Sequence, residues 1–294
     1  MEGTAGRGPI GVRFAARYPL CSNAAMKDSA EDIVRRATAA FNAGRPQDAQ
    51  QLCERGLARA PGEPMLSHLL AAVLFSKGEI APARTHVEAS VARRPDNAAA
   101  RLLAARIARA AADHDAALAH LDRAIALKPQ RDLFIEKARA LDLAGHKAEA
   151  REAWQAILKA IPEHQEASAR LGRLAWDDGD LAGAVSLLER ATQGDAPASV
   201  WFDLGVARQD QRDHDGAALA YRKAIALKPD YAEAALNLGI ALQERGDPDA
   251  AMRAFAQAYG LRPQLFGSIA MALTSASHGR LWLDEDALRA ALAG

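Results

Sequence analysis

The sequence has few of the residues that usually mark a site for chemistry. Two of its 294 residues are cysteine, Cys21 and Cys53, which are too few for a disulfide framework and lie outside any metal-ligand spacing. Aromatic residues make up 5% of the chain, and no apolar run approaches the length needed to cross a bilayer. We therefore expect no metal, no membrane insertion and a reducing, cytoplasmic compartment.

The chain also lacks a surplus of charge. Lys plus Arg and Asp plus Glu both number 37, so the formal net charge is zero. A balanced chain has no basic footprint for the phosphates of nucleic acid or for an anionic membrane surface. We expect no nucleic-acid partner.

The motifs of the common enzyme classes are missing as well. The sequence holds no Gly-rich phosphate loop, no His-Glu-x-x-His, no Gly-x-Ser-x-Gly elbow and no paired-cysteine metal site. It therefore predicts no catalytic residues and no cofactor, and we do not expect an enzyme.

What the chain does have is an alanine-rich, helix-favouring composition and a repeat of 34 residues. The clearest pair of copies reads Trp201, Leu204, Gly205, Ala217, Tyr221, Pro229, then Ala235, Leu238, Gly239, Ala251, Phe255, Pro263. The small residues allow two helices to approach closely, and the proline ends the second helix. Such a helix pair cannot bury its apolar stripe alone, so we expect the copies to stack.

The same pattern recurs seven times between Ala30 and Pro263. The small position of the first helix is filled by Ala37, Ala71, Ala105, Ala138, Gly172, Gly205 and Gly239. The small position of the second helix is filled by Ala49, Ala83, Ala117, Ala150, Ala184, Ala217 and Ala251. The large residue between the helices is Cys53, Val87, Leu121, Trp154, Leu188, Tyr221 and Phe255.

This pattern resembles the tetratricopeptide repeat (TPR) family over residues 30–263, and the clearest copy departs from the family at Arg208, where a Tyr is usual. The resemblance implies an all-α fold, a right-handed α-solenoid of TPR helix-turn-helix repeats with a C-terminal capping segment. It also implies a concave groove, lined by the first helix of each repeat, that holds a protein or peptide.

The candidate binding residues lie at the groove-facing positions that the resemblance implies. Repeats three to five place an arginine there, with two more nearby: Arg106, Arg139, Arg173, Arg109 and Arg170. Arginines on neighbouring helices would lie about 8–10 Å apart and suit acidic side chains or phosphates of an extended partner. The alternative is that they pair with Glu136, Asp142 and Asp177 on a solvated face. The apolar groove candidates are Phe41, Phe75, Trp176 and Phe202.

The two ends of the chain fall outside the repeat domain, residues 29–263. We expect residues 1–28 to be a disordered tail, with an organelle transit peptide and a translation start at Met26 as alternatives. Residues 264–294 are expected to form a helical cap on the last repeat, using Leu281, Trp282, Leu283, Leu288 and Leu292.

The sequence thus predicts a non-catalytic TPR scaffold or adaptor that binds a protein or peptide segment, acidic if the arginines contact it. The alternative is a recruiting or regulatory arm for a glycosyltransferase- or sulfotransferase-type enzyme supplied by another chain, because TPR arrays also precede such domains. The identity of the partner and the oligomeric state do not follow from the sequence.

Overall fold

The computed structural model describes residues 29–275 and 285–293, and both ranges are helical apart from short connections. The helices are α1 Ala30–Asn42, α2 Pro46–Arg59, α3 Pro64–Ser76, α4 Ile80–Arg93, α5 Ala98–Ala110, α6 His114–Leu127, α7 Arg131–Ala144, α8 Lys147–Ala160, α9 Gln165–Asp177, α10 Leu181–Ala191, α11 Ala198–Asp210, α12 His214–Leu227, α13 Ala232–Glu244, α14 Pro248–Leu261, α15 Phe266–Ser275 and α16 Glu285–Ala293. A 3-10 helix, Pro263–Leu265, joins α14 to α15.

The fold is the all-α repeat solenoid that the sequence predicts. In chain order, helices α1 to α14 correspond to the two helices of each of the seven predicted repeats. Consecutive helices pack on each other in turn from α1 to α7, and again from α9 to α14. None of the helices in the described ranges is both long and apolar enough to cross a membrane.

The chain divides into two compact units between Ala150 and Arg151, within α8. The first unit contains α1 to α7, and its main core joins residues of α1 to α5. The second unit contains α9 to α16, and its main core joins residues of α12 to α16.

The three packing positions predicted from the repeat are buried in all seven repeats. Glycine replaces alanine in the first helix where the opposing side chain comes very close. A Cβ on Gly172 would lie 2.8 Å from Cγ of Leu188, and one on Gly239 would lie 2.4 Å from the ring of Phe255. At these positions the glycine therefore leaves room for the side chain of the second helix.

Helix α3 in the first unit is buried around its whole circumference. Nine consecutive residues, from Leu66 to Leu74, are all buried. Successive residues of a helix are about 100° apart, so nine of them point in every direction around the axis. The corresponding first helix of the next repeat, α5, leaves Leu102 and Arg106 partly exposed.

Each turn inside a repeat contains a residue in the left-handed conformation. Glycines with positive φ fill five of these turns: Gly44, Gly78, Gly145, Gly179 and Gly246. Repeats three and six have no glycine there and use Ala112, with φ 58°, and Arg212, with φ 63°. These two turns therefore carry backbone strain that the glycine turns avoid.

At the C-terminal end, α16 packs on α14. Leu288 and Leu292 of α16 are each 3% exposed and lie in the same core cluster as Phe255. The domain boundaries and the capping role of this segment stay predictions. The expectations for residues 1–28 and for Leu281, Trp282 and Leu283 fall outside the described residues.

Candidate functional site

An arginine cluster forms on the first helices of repeats three and four, in the first unit. Its centre is Glu136 of α7, whose side chain is only 7% exposed. Arg106 of α5 approaches Oε1 of Glu136 with Nη2 at 3.1 Å and with Nε at 3.2 Å. Arg109 Nη2 lies 3.6 Å from Oε2, and Arg139 Nη1 lies 3.4 Å from Oε1. We call these four residues the arginine cluster.

Helical spacing explains why these side chains meet. Arg106 and Arg109 are three residues apart on α5, and Glu136 and Arg139 are three apart on α7, so each pair shares one helix face. The contact between Arg106 and Glu136 joins the two helices.

Three guanidinium groups of the arginine cluster converge on one carboxylate. The arginine side chains keep part of their surface in solvent: 21% for Arg106, 33% for Arg109 and 35% for Arg139. The cluster therefore presents oriented, partly desolvated donors, which bind anions more strongly than free surface charges do.

The other two candidate arginines lie in the second unit, near Asp203 of α11. Arg173 Nη1 is 3.4 Å from Oδ1 of Asp203, and the Arg173 side chain is 58% exposed. Burial raises the pKa of Asp203, and the charges of Arg173 and Arg170 oppose that rise. Sequence reasoning missed Asp203, because a single acidic residue inside a helix gives no signal of its own.

Phe202, one of the two apolar candidates in the second unit, belongs to an aromatic group. The ring centroid of Phe202 lies 5.1 Å from that of Tyr231 and 5.7 Å from that of Tyr221. Lys228 Nζ lies 4.7 Å from the centroid of the Tyr231 ring. Tyr231, which begins repeat seven, was not predicted as part of the site.

Trp176, Phe41 and Phe75 are partly buried, each against the core of its own unit. The indole Nε1 of Trp176 donates a hydrogen bond of 2.7 Å to Oδ2 of Asp210. Each ring thus combines a packing contact with an accessible edge. The structure brings together Arg106, Arg109 and Arg139 most closely of all the candidates.

Little in the described part of the chain points to metal or thiol chemistry. No group of three or more His, Cys, Asp or Glu residues there could hold a metal ion. Cys53 is buried, and burial raises the pKa of its thiol to about 12. This thiol is therefore a packing residue rather than a nucleophile.

Comparison with solved structures finds the same fold in proteins of low sequence identity. The APC/C hetero-tetramer Cut9-Hcn1 matches with a TM-score of 0.62 and 16% identity, over 84% of this chain and 49% of that one. This chain therefore spans about half the length of that protein. PilF of Pseudomonas aeruginosa matches with a TM-score of 0.58 and 16% identity, over 68% of this chain and 92% of that one. YrrB, described as a TPR protein with an unusual peptide-binding site, matches with a TM-score of 0.50 and 19% identity, over 62% of this chain and 95% of that one.

Curated proteins give no match to this sequence. The family comparison is clear, however. Tetratricopeptide repeats match over residues 40–107, 135–199 and 202–265. These segments make up more than half of the chain, and they fall on the helix pairs described above. The chain belongs to the tetratricopeptide repeat family.

Proposed function

We propose that this protein is a non-catalytic scaffold or adaptor that binds an acidic segment of a partner protein at the arginine cluster. The observation that carries the proposal is the convergence of Arg106, Arg109 and Arg139 on the single buried carboxylate of Glu136. Members of the family bind proteins or peptides, and the related fold of YrrB is described with a peptide-binding site.

Contacts with Glu136 restrict the arginine side chains before an anion binds. Long arginine side chains normally lose conformational freedom when they bind a ligand, which costs about 0.5–1.5 kcal/mol for each side chain. Contacts with Glu136 already restrict these arginines, so less of that cost remains at binding. The three arginine side chains keep 21–35% of their surface in solvent, where an anion of the partner can approach them.

The second unit offers a separate candidate contact. The Arg173 side chain is 58% exposed, and its partner Asp203 follows Phe202 in the sequence of α11. A partner segment with an acidic residue and an apolar residue suits this pair of features. The variant Arg173→Ala tests this contact separately.

A fluorescence anisotropy titration tests the proposal. The probe is a labelled 12-residue peptide with four Glu among Leu and Ala, and its comparison has Gln in place of each Glu. We expect the acidic peptide to bind, and binding to weaken as salt rises from 50 to 300 mM, because ionic contacts are screened. The triple variant Arg106→Ala, Arg109→Ala, Arg139→Ala should lose at least tenfold in affinity, and Arg173→Ala should lose less.

A matched control removes the same charge elsewhere in the first unit. Arg35, Arg45 and Arg55 are exposed arginines of α1, α2 and the turn between them. Their triple replacement by Ala should change the affinity by less than twofold. Equal binding of the Glu and Gln peptides, or full affinity in the variant of the arginine cluster, would show that the arginines are solvated surface.

Two further expectations concern the cellular compartment and nucleic-acid binding. We place the protein in the cytoplasm, because two cysteines suit a reducing compartment. We expect no nucleic-acid partner, because the net charge is zero. An electrophoretic mobility assay with duplex DNA and single-stranded RNA at physiological salt checks the second expectation.

A further inference from the structure

We infer that the partner segment is an extended chain with two apolar side chains and one acidic side chain at intervals of about three residues. Its apolar side chains contact Phe41 and Phe75, and its acidic side chain contacts Arg109. This inference rests on the proposed function, since it extends the same site. It goes further by giving the order, the spacing and the conformation of the partner residues.

Phe41, Phe75 and Arg109 occupy one repeat position on three consecutive first helices. They follow each other at intervals of 34 residues on α1, α3 and α5, four residues after the small position of each helix. Contacts join α1 to α3 and α3 to α5. Equivalent residues of stacked repeats lie on one face, so the three side chains form a row that ends at the arginine cluster. We call these three residues the groove row.

The groove row remains accessible where the rest of α3 is covered. All residues from Leu66 to Leu74 are buried, whereas Phe75, which follows them, is only partly buried. Phe41 and Phe75 each pack against the core of the first unit and keep part of the ring in solvent. The Arg109 side chain is 33% exposed. A partner that leaves the arginine cluster across α3 therefore meets the ring of Phe75.

The chemistry of the groove row fixes the order of the partner residues. Apolar side chains that cover the rings of Phe41 and Phe75 remove apolar surface from water on both molecules. An acidic side chain against either ring would lose water without gaining a charged partner. At Arg109 the same acidic side chain finds a guanidinium group. The partner therefore carries its two apolar residues on one side of its acidic residue.

The distance between helices fixes the spacing and the conformation. The axes of packed helices lie about 8–10 Å apart. An extended chain rises about 3.3 Å per residue, so three residues cover about 10 Å, one step of the groove row. A helical segment advances about 1.5 Å per residue, and three of its residues cover only about 4.5 Å. An extended partner therefore matches the groove row residue by residue, and a helical one does not.

The experiment uses labelled peptides of nine residues in a Ser- and Gly-rich host, with blocked ends, and reads binding by fluorescence anisotropy. The spaced peptide has Leu at positions 2 and 5 and Glu at position 8, and its reverse sequence tests the opposite chain direction. One of the two directions should bind. Replacement of either Leu in that peptide by Ser should weaken binding at least fivefold. Moving both Leu next to the Glu should weaken binding as much, although the composition is unchanged.

A variant of the protein tests the same contact from the other side. Phe75→Arg gives α3 the residue that α5 has at position 109. The variant should bind the spaced peptide at least fivefold more weakly and should prefer a peptide with Glu in place of the central Leu. Phe134→Ala on α7 is the control, because this side chain is 45% exposed and lies outside the groove row. Phe75 also packs against the core, so the peptide series decides the question if the variant does not fold.

Each possible result has a distinct meaning. Equal binding of the spaced peptide and its Ser versions, or of the spaced and moved-Leu peptides, would overturn the inference and leave the proposed function intact. Tighter binding of a peptide locked as a helix would overturn the extended conformation. No binding of any acidic peptide would overturn both proposals. Sedimentation of the protein alone covers another occupant, since a dimer that Phe75→Arg dissociates would assign the groove row to a second copy of this chain.

Discussion

The ring of Tyr221 lies directly against the backbone of Gly205. A Cβ on residue 205 would stand 2.5 Å from Cε1 of that ring. The hydroxyl of Tyr221 donates a hydrogen bond of 3.0 Å to Oε1 of Gln209, one turn further along α11. In repeat six, Tyr221 thus both fills the space beside Gly205 and makes a polar contact with the first helix.

Gly205→Ala should therefore destabilise the protein. The added methyl group has no room, and overpacking of this kind costs about 1–3 kcal/mol. Urea unfolding followed by circular dichroism measures the loss. Gly260→Ala is the matched control, because nothing lies within 4 Å of a Cβ there and alanine favours the helix. The double variant Gly205→Ala, Tyr221→Leu should recover part of the loss, and failure to recover any would place the strain elsewhere.

Ala112→Gly should stabilise the protein. Ala112 adopts φ 58°, a left-handed conformation in which a side chain costs about 1–2 kcal/mol. Glycine removes that cost but gives the unfolded chain more freedom, so we expect a net gain of about 0.5–1 kcal/mol. Ala111→Gly, one residue earlier at φ −84°, should instead lower stability. A decrease in unfolding free energy for Ala112→Gly would show that the turn carries no strain.

These two predictions show where the sequence is informative and where it is not. The small and large positions of each helix pair could be identified because a close helix approach permits few residue types, and they recur seven times. The left-handed turns at Ala112 and Arg212 could not be identified, because the stacking on both sides imposes the conformation and no residue signals it. From the sequence, Glu136 was one of three acidic residues that could pair with the arginines. Its central position could not be predicted, because a sequence does not distinguish a buried glutamate from a solvated one.

The protein should become less stable as the pH falls from 7 to 5, and His68 should account for part of this loss. Burial lowers its pKa from 6.5 to about 4, so the folded state holds the neutral imidazole. The unfolded chain takes up the proton near pH 6.5, and stability that is complete above this pH decreases as the pH falls toward 4. Between pH 7 and 5 the loss should be about 2 kcal/mol.

Urea titrations of wild type and His68→Leu at pH 7 and pH 5 measure this contribution. The variant should lose less stability than wild type over that interval. Ser67→Ala, at the non-titrating buried residue before His68, serves as the control and should keep the pH dependence of wild type. An identical pH dependence for wild type and His68→Leu would mean that His68 does not take part.

Leu288→Ala should weaken the C-terminal end of the second unit. Leu288 is 3% exposed in the cluster that contains Phe255, and a buried Leu→Ala change costs about 2–5 kcal/mol. If α16 caps the last repeat, as we predict, removal of residues 264–294 should also expose apolar surface and cause dimers or aggregates. Light scattering measures this, with Met271→Ala as a control at a side chain that is 69% exposed. A truncated chain that stays monomeric and equally stable would assign another role to the segment.

The complete burial of α3 has a consequence for motion. The amides of this helix cannot reach water through small local movements, because other residues pack against the helix on every side. Exchange of its amide protons for deuterium therefore requires a cooperative opening of the surrounding repeats. The slowest-exchanging amides of the first unit should therefore lie between Leu70 and Leu74. Their exchange rate then reports how often the surrounding repeats of this unit open.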